Sequence, residues 1–244
     1  MNQDSSGHII PREKKAYNER LFKKGFRKYF HEARFFWLIK KLKKLNITNG
    51  TIIELGCHDG KILSYLSFSP EAYAGYDANW ENGLDIAKTT FQHNINYQFY
   101  RCTTPADFNK PGNLYDISIA METVEHLPVR DLESYLLKIK DSTRKYFFIT
   151  IPNEKGPLVV IKYLIKKIFL RIDEPYSLKE LWYVSIGRID KVRRIGYGHK
   201  GFDYVNMITT VSKYFDIVTI EPIPFPSFPI IANFSIGIVA TPKV

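Results

Sequence analysis

Between Thr51 and Pro152 the chain repeats one pattern: a short run of core-type residues, then a helical stretch. That repetition constrains the fold more than any other feature. Thr51–Leu55, Ala72–Tyr76, Tyr97–Arg101, Tyr115–Ala120 and Lys145–Ile151 read as strands, short and rich in β-branched or aromatic residues. Asn79–Phe91 and Val129–Lys140 read as helices between them, and Lys61–Phe68 resumes a helical pattern after the first strand. Strands joined through helices run parallel, and a parallel sheet must be covered on both faces. The pattern returns as a helix over Tyr204–Phe215 and strands over Asp216–Glu221 and Ser235–Ala240. The Pro-rich link Pro222–Pro229 makes that last pair a hairpin. The expected fold class is α/β, a mostly parallel sheet closed by an antiparallel pair.

Two basic segments flank this acidic centre. Residues 1–50 carry a net +9, residues 51–154 a net −5 and residues 155–200 a net +7. Ala16–Leu45 reads as one or two helices whose Phe26, Phe30, Ala33, Trp37 and Ile39 fall near helical spacing. The chain therefore divides into a basic helical extension over 1–50 and a domain over 51–244, with a helical insertion at about 155–200. Such asymmetry fits an anionic partner, although solvated lysine-rich helix faces explain any single cluster better. Cys57 and Cys102 are the only cysteines, too few for a disulfide framework, so a reducing cytoplasm is expected. Charged residues interrupt every apolar stretch of 1–50, so no signal peptide is expected there, and no segment is apolar for long enough to span a bilayer.

Glu54-Leu55-Gly56-Cys57-His58-Asp59-Gly60 joins the first strand to the helical stretch after it. Gly56 lets backbone pass close to a ligand, and Gly60 opens a helix without a Cβ in the way. The loop is one residue too short for a phosphate-binding P-loop, and Ile62 replaces the hydroxyl that would hold magnesium. It also lacks the third glycine of a dinucleotide fingerprint. Asp77 closes the second strand, where a carboxylate accepts hydrogen bonds from a ribose diol. Asp107 follows the third strand and can reach an adenine edge. These features suit a cofactor with an adenosine and no phosphate.

On these residues the chain resembles class I S-adenosylmethionine-dependent methyltransferases. Ile53–Gly60 is similar to their glycine-rich first motif, Gly75-Tyr76-Asp77 to their second, and Tyr115–Met121 to their fourth. His58 stands where they usually have a central glycine. The resemblance implies a Rossmann-like, seven-stranded sheet with S-adenosylmethionine at its carboxyl edge. It implies cofactor contacts from Glu54, Gly56, Cys57, Gly60, Asp77, Ala78, Asp107 and Met121.

Met121-Glu122-Thr123-Val124-Glu125-His126 ends the fourth strand. If Thr123 starts a helical turn, Glu122, Glu125 and His126 converge and make a site for a hard cation. His199, just after the insertion, is the candidate further ligand. This pairing resembles both the ubiquinone-biosynthesis O-methyltransferases and the small-RNA 3′-terminal 2′-O-methyltransferases. The second resemblance implies a divalent metal such as Mg²⁺ on Glu122, Glu125, His126 and His199. Three readings stand: His126 as a base near the acceptor, a four-ligand metal site with His126 and His199 in catalytic roles, or a structural Glu-His pair.

Pro157–Arg171 reads as a cationic amphipathic helix, with Leu158, Ile161, Ile165 and Ile168 on one side and Lys162, Lys166 and Lys167 elsewhere. It suits either an anionic membrane interface or a lid over the site. Tyr176, Trp182, Tyr183 and Tyr197 can wall an aromatic or sugar acceptor, or simply pack. The expected function is O-methylation of a small-molecule, sugar or lipid-linked acceptor by a cytoplasmic or membrane-peripheral enzyme. The alternatives are metal-dependent 2′-O-methylation of RNA and a catalytically silent module that only binds.

Overall fold

The structure is a computed structural model that describes residues 26–169, 176–195 and 199–243. Helix α1 (Phe26–Lys44) precedes β1 (Thr51–Leu55), β2 (Ala72–Asp77), α2 (Gly83–Thr90), β3 (Tyr97–Arg101) and β4 (Tyr115–Met121). Then come α3 (Val129–Ser142), β5 (Thr143–Pro152), α4 (Pro157–Phe169), α5 (Leu178–Ser185), α6 (Tyr204–Val211), β6 (Phe215–Ile223) and β7 (Ser235–Pro242). The seven strands form one sheet in the order β3-β2-β1-β4-β5-β7-β6. β1 to β5 pair parallel, whereas β7 runs antiparallel to both β5 and β6. This is the expected Rossmann-like sheet with its terminal antiparallel pair. Strand order reverses between β1 and β4, so their carboxyl ends open a crevice.

Both faces of the sheet are covered. On one face α1 packs Leu38, Leu42 and Trp37 against Ile52, Phe148 and Val239. Trp37 lies edge-on to Phe148 and fills the space a side chain at Gly237 would need. Lys41, buried on the same helix, pairs with Glu221 of β6. Ala33 and Trp37 are buried as the spacing predicts, but Phe35, Leu38 and Leu42 widen the apolar face. Residues 16–25 of the expected helical stretch lie outside the described residues, and so do the side chains of Phe26 and Phe30. On the opposite face α3 and α6 bury Leu136, Ile139, Met207 and Val211 against Ile53, Phe147 and Ile149.

Two expected helices are shorter than their pattern. Over Lys61–Phe68 only a 3-10 turn forms, at Lys61–Ser64. Ser64 turns its hydroxyl back onto the Lys61 carbonyl, and Pro70 disfavours helix just beyond. α2 starts at Gly83 because Asn79, Glu81 and Asn82 all take positive φ. The insertion carries a small core of its own, in which Val159, Val184, Ile189 and Val192 pack with Tyr176 and Tyr183. α4 therefore buries Val159 and Tyr163 and leaves Ile161 and Leu164 exposed. Leu170 and Arg171, like the side chains of Ile165, Lys166 and Ile168, lie outside the described residues. Among the described residues no helix is long and apolar enough to cross a membrane.

Candidate active site

The loop leaving β1 is wedged between the tips of β2 and β4. The Gly56 N–H donates to the Tyr76 carbonyl at 2.7 Å. Gly56 has a φ of 79°, and a Cβ there would stand 2.1 Å from Thr123 Oγ1. Gly60 has a φ of 70°, and its Cβ would meet Phe91 at 2.9 Å. The protein's own packing and left-handed backbone thus already require both glycines, and Gly60 caps the start of the 3-10 turn. His58 holds a φ of 46°, the conformation a glycine would take in its place. Its ring lies over Gly83, where a Cβ would come within 2.5 Å, and edge-on to Trp80.

Asp77 sits at the lip of this loop. Its Oδ2 accepts from the His58 N–H at 3.1 Å, and its Oδ1 from the Asn79 and Trp80 N–H groups at 2.8 and 3.3 Å. Oδ2 keeps acceptor capacity for a diol. Glu54 is buried beneath the loop and accepts from the Tyr73 hydroxyl. Burial pushes its carboxyl up to about 8, against the opposing pull of that hydroxyl and of Arg34. Cys57 and Met121 are buried, so only their backbone can face a ligand, and burial pushes the Cys57 thiol up. Ala78 is exposed next to Asp77. Asp107, expected at the adenine edge, braces its own loop. Its Oδ2 accepts from the N–H and hydroxyl of both Thr103 and Thr104, which holds its carboxyl down at about 2.

A second cluster lies at the tip of β4. Glu122 has a φ of 52° and the turn Val124–His126 is 3-10, so the helical spacing expected for Glu122 and Glu125 is broken. The structure brings together Glu125, His126 and His199, whose ligand atoms all lie within 4.8 Å of one another, and leaves Glu122 out of that group. The His126 and His199 rings stand perpendicular, 5.1 Å between centroids. Glu125 is 1% exposed, and neither of its carboxylate oxygens has a hydrogen-bond partner. Burial, and then the neighbouring Glu122, push its carboxyl well up. Burial also raises Glu122, with Arg34 opposing. A buried carboxylate without donors, beside two imidazoles, is a costly arrangement that a divalent cation relieves.

Sequence reasoning missed three residues here. Arg34 of α1 buries its Nε without a hydrogen-bond partner within electrostatic reach of Glu54, Glu122 and Glu125. Arg194 donates to the Glu125 carbonyl at 2.8 Å. Glu154, just past β5, is buried against the insertion. Its place at the carboxyl end of β5, the strand next to β4, was the available signal. Gly196–Gly198, ahead of His199, lie outside the described residues.

A family model described as a methyltransferase domain matches residues 22–186, well over half of the chain. The chain belongs to this methyltransferase family. The methyltransferase is similar in fold to magnesium protoporphyrin IX methyltransferase from Synechocystis PCC 6803, solved with bound SAH, at 15% identity and a TM-score of 0.59 over 92% of each chain. A S-adenosylmethionine-dependent methyltransferase from Clostridium acetobutylicum ATCC 824 aligns at 12% identity and a TM-score of 0.62, covering 93% of this chain and 99% of that one. The small RNA methyltransferase HEN1 aligns at 14% identity and a TM-score of 0.63, over 91% of this chain and 26% of that one. No curated protein sequence matches the chain. By its family the chain is a methyltransferase enzyme, and neighbours of its fold are solved with SAH or SAM bound. The acidic lip formed by Asp77, above the buried Glu54, fits a cationic nucleoside.

Proposed function

We propose that this methyltransferase methylates a hydroxyl oxygen of a small, sugar-like or lipid-linked acceptor, with a divalent cation on Glu125, His126 and His199. The observation that carries the reading is Glu125, with both carboxylate oxygens buried and without hydrogen-bond partners beside two imidazoles. Asp77 takes the ribose hydroxyls, the backbone of Gly56, Cys57 and Gly60 lines the nucleoside, and Ala78 borders the adenine. Bound there, the cofactor supplies an electrophilic methyl group on a sulfonium. A cation on the three ligands supplies Lewis acidity that makes an acceptor hydroxyl easier to deprotonate. Holding the acceptor oxygen in line with the methyl group contributes on the order of 7–11 kcal/mol.

A second reading, methylation of an RNA 2′-hydroxyl, is favoured by the basic flanks and by the fold shared with HEN1. The two separate when labelled cofactor is incubated with cell extract, with and without chelator, and the lipid, RNA and polar-metabolite pools are counted. Label is expected in the lipid or metabolite pool and lost with chelator. Label confined to RNA 3′ ends selects the second reading, and transfer that survives chelation removes the cation and leaves His126 as base.

The insertion favours a lipid-linked acceptor. Along α5 a capping box of Ser177 and Glu180 fixes the helix start, and Leu181 and Val184 are buried. Leu178, Trp182 and Ile186 fall on the other side, 85%, 64% and 52% exposed. Lys179, Arg188, Lys191 and Arg193 are close by in sequence. An apolar stripe with a Trp and flanking cations suits an anionic bilayer surface. The protein is expected to sediment with phosphatidylserine vesicles at low salt, and Leu178→Asp with Trp182→Asp to abolish that. Equal sedimentation of the double variant excludes this surface. Lys162 is a poor probe because it pairs with Glu154.

A further inference from the structure

We propose that Glu154 is a positioning residue that fixes the His199 imidazole for the cluster formed with Glu125 and His126. The inference deepens the cation-assisted reading above and rests on it for its purpose, though not for its geometry.

Glu154 stands on a rigid mount. The preceding Asn153 donates its side-chain amide to the Ile230 and Asn233 carbonyls, both at 2.9 Å, and its backbone N–H to the Phe234 carbonyl at 2.8 Å. The Asn153 side-chain oxygen accepts from the Lys155 N–H at 3.0 Å. Lys155 in turn pairs with Asp203 at 2.7 Å, which ties the end of β5 to the segment that carries His199. The buried Glu154 carboxylate therefore cannot wander. Its Oε1 lies 3.9 Å from His199 Nδ1 and accepts from Lys162 Nζ at 2.7 Å, while Oε2 accepts from the Tyr176 hydroxyl at 3.4 Å.

A neutral imidazole carries one N–H and one lone pair, and the partner of the first decides where the second points. A carboxylate facing Nδ1 selects the Nδ1–H tautomer, which leaves the lone pair on Nε2. That is the form able to ligate a cation with the ring's far side, and a carboxylate behind it raises the ligand's basicity. The 3.9 Å separation exceeds a hydrogen bond, and such contacts shorten when a site is loaded. Lys162 balances the charge of the buried carboxylate, so the insertion helix helps assemble the same pair.

The test uses full-length protein at pH 8, above the ordinary imidazole range. Long-range ¹H–¹⁵N spectra assign the His199 tautomer, and Mn²⁺ affinity is measured by calorimetry without substrate. Wild type is expected to show Nδ1–H at His199, and Glu154→Gln to shift His199 toward the Nε2–H form that free histidine prefers. Mn²⁺ affinity is expected to fall about 10- to 100-fold in that variant and to recover partly in Glu154→Asp. An Nε2–H His199 in wild type, or a Glu154→Gln protein with unchanged tautomer and affinity, overturns the inference. If Glu154→Gln does not fold, Lys162→Met serves. It strips the buried Glu154 carboxylate of its counter-charge, so the pair must loosen and His199 must lose Nδ1–H population; an unchanged tautomer overturns the inference as well. A wild type that binds no Mn²⁺ yet shows the Glu154-dependent tautomer keeps the inference and discards the cation.

Discussion

Replacing Glu125 with Met is expected to stabilise the metal-free protein and to abolish methyl transfer. Stability and activity move in opposite directions because Glu125 is 1% exposed with both oxygens lacking hydrogen-bond donors. A buried polar group in that condition costs about 1–3 kcal/mol, which an unbranched apolar side chain of similar length recovers. For a chain of this size that is a rise of roughly 2–10 °C in Tm, measured with chelator present. The Arg194 contact survives the substitution, since it is made to the Glu125 carbonyl. Loss of a cation ligand is expected to remove on the order of 4 kcal/mol from transition-state stabilisation, about 1,000-fold in rate. Cofactor binding, followed by calorimetry, should be retained, because the lip at Asp77 is untouched. Gln is the poorer choice because its amide would also be buried without a partner. A fall in Tm would mean that Glu125 is a structural group, and the functional reading of the cluster would go with it.

The range over which each interaction acts decides how much of the molecule could be read in advance. The strands were legible because a buried strand needs only a short apolar run between turn residues, and all seven lie within a few residues of their expected bounds. The loop at Gly56 and the carboxylate at Asp77 were legible as positions, since strand ends beside a switch point face the crevice. The side chain that Gly56 makes room for was not. The atoms that a Cβ at Gly56 would strike belong to Thr123, brought there only by the pairing of β1 with β4. Glu122 was assigned by helical spacing, and its positive φ defeats that geometry. Asp107 was read from its place in the chain, and the hydroxyls of Thr103 and Thr104 brace it locally. Glu154 had no spacing signal because its partners, Lys162, Tyr176 and His199, come from the insertion and the segment after it. The partner of Lys162 was hidden for the same reason: periodicity assigns a helix face but cannot see an acid waiting on one side of it.

The stability of the protein is expected to fall as pH rises from about 4.5 to 8, and Glu54→Gln to remove the Glu54 share of that slope, the raised Glu122 and Glu125 carboxyls keeping theirs. Burial pushes the Glu54 carboxyl up to about 8 from its usual 4.5, so the native state holds a proton that the unfolded chain has already released. Wherever the unfolded state binds fewer protons than the native one, rising pH favours unfolding. The contribution is fully present below about 4.5, declines across the window, and is gone once pH passes about 8. Integrated over that window, the shift corresponds to on the order of 4–5 kcal/mol. Gln is nearly isosteric and its carbonyl still accepts from the Tyr73 hydroxyl, so packing is held while the titrating proton is removed. Wild type and variant should therefore be close in denaturation midpoint at pH 5 and diverge steadily toward pH 8, with the variant more stable. A constant difference across the range would show that Glu54 titrates alike in both states. The opposite divergence, with wild type gaining as pH rises, would mean that Arg34 rather than burial dominates beneath the loop.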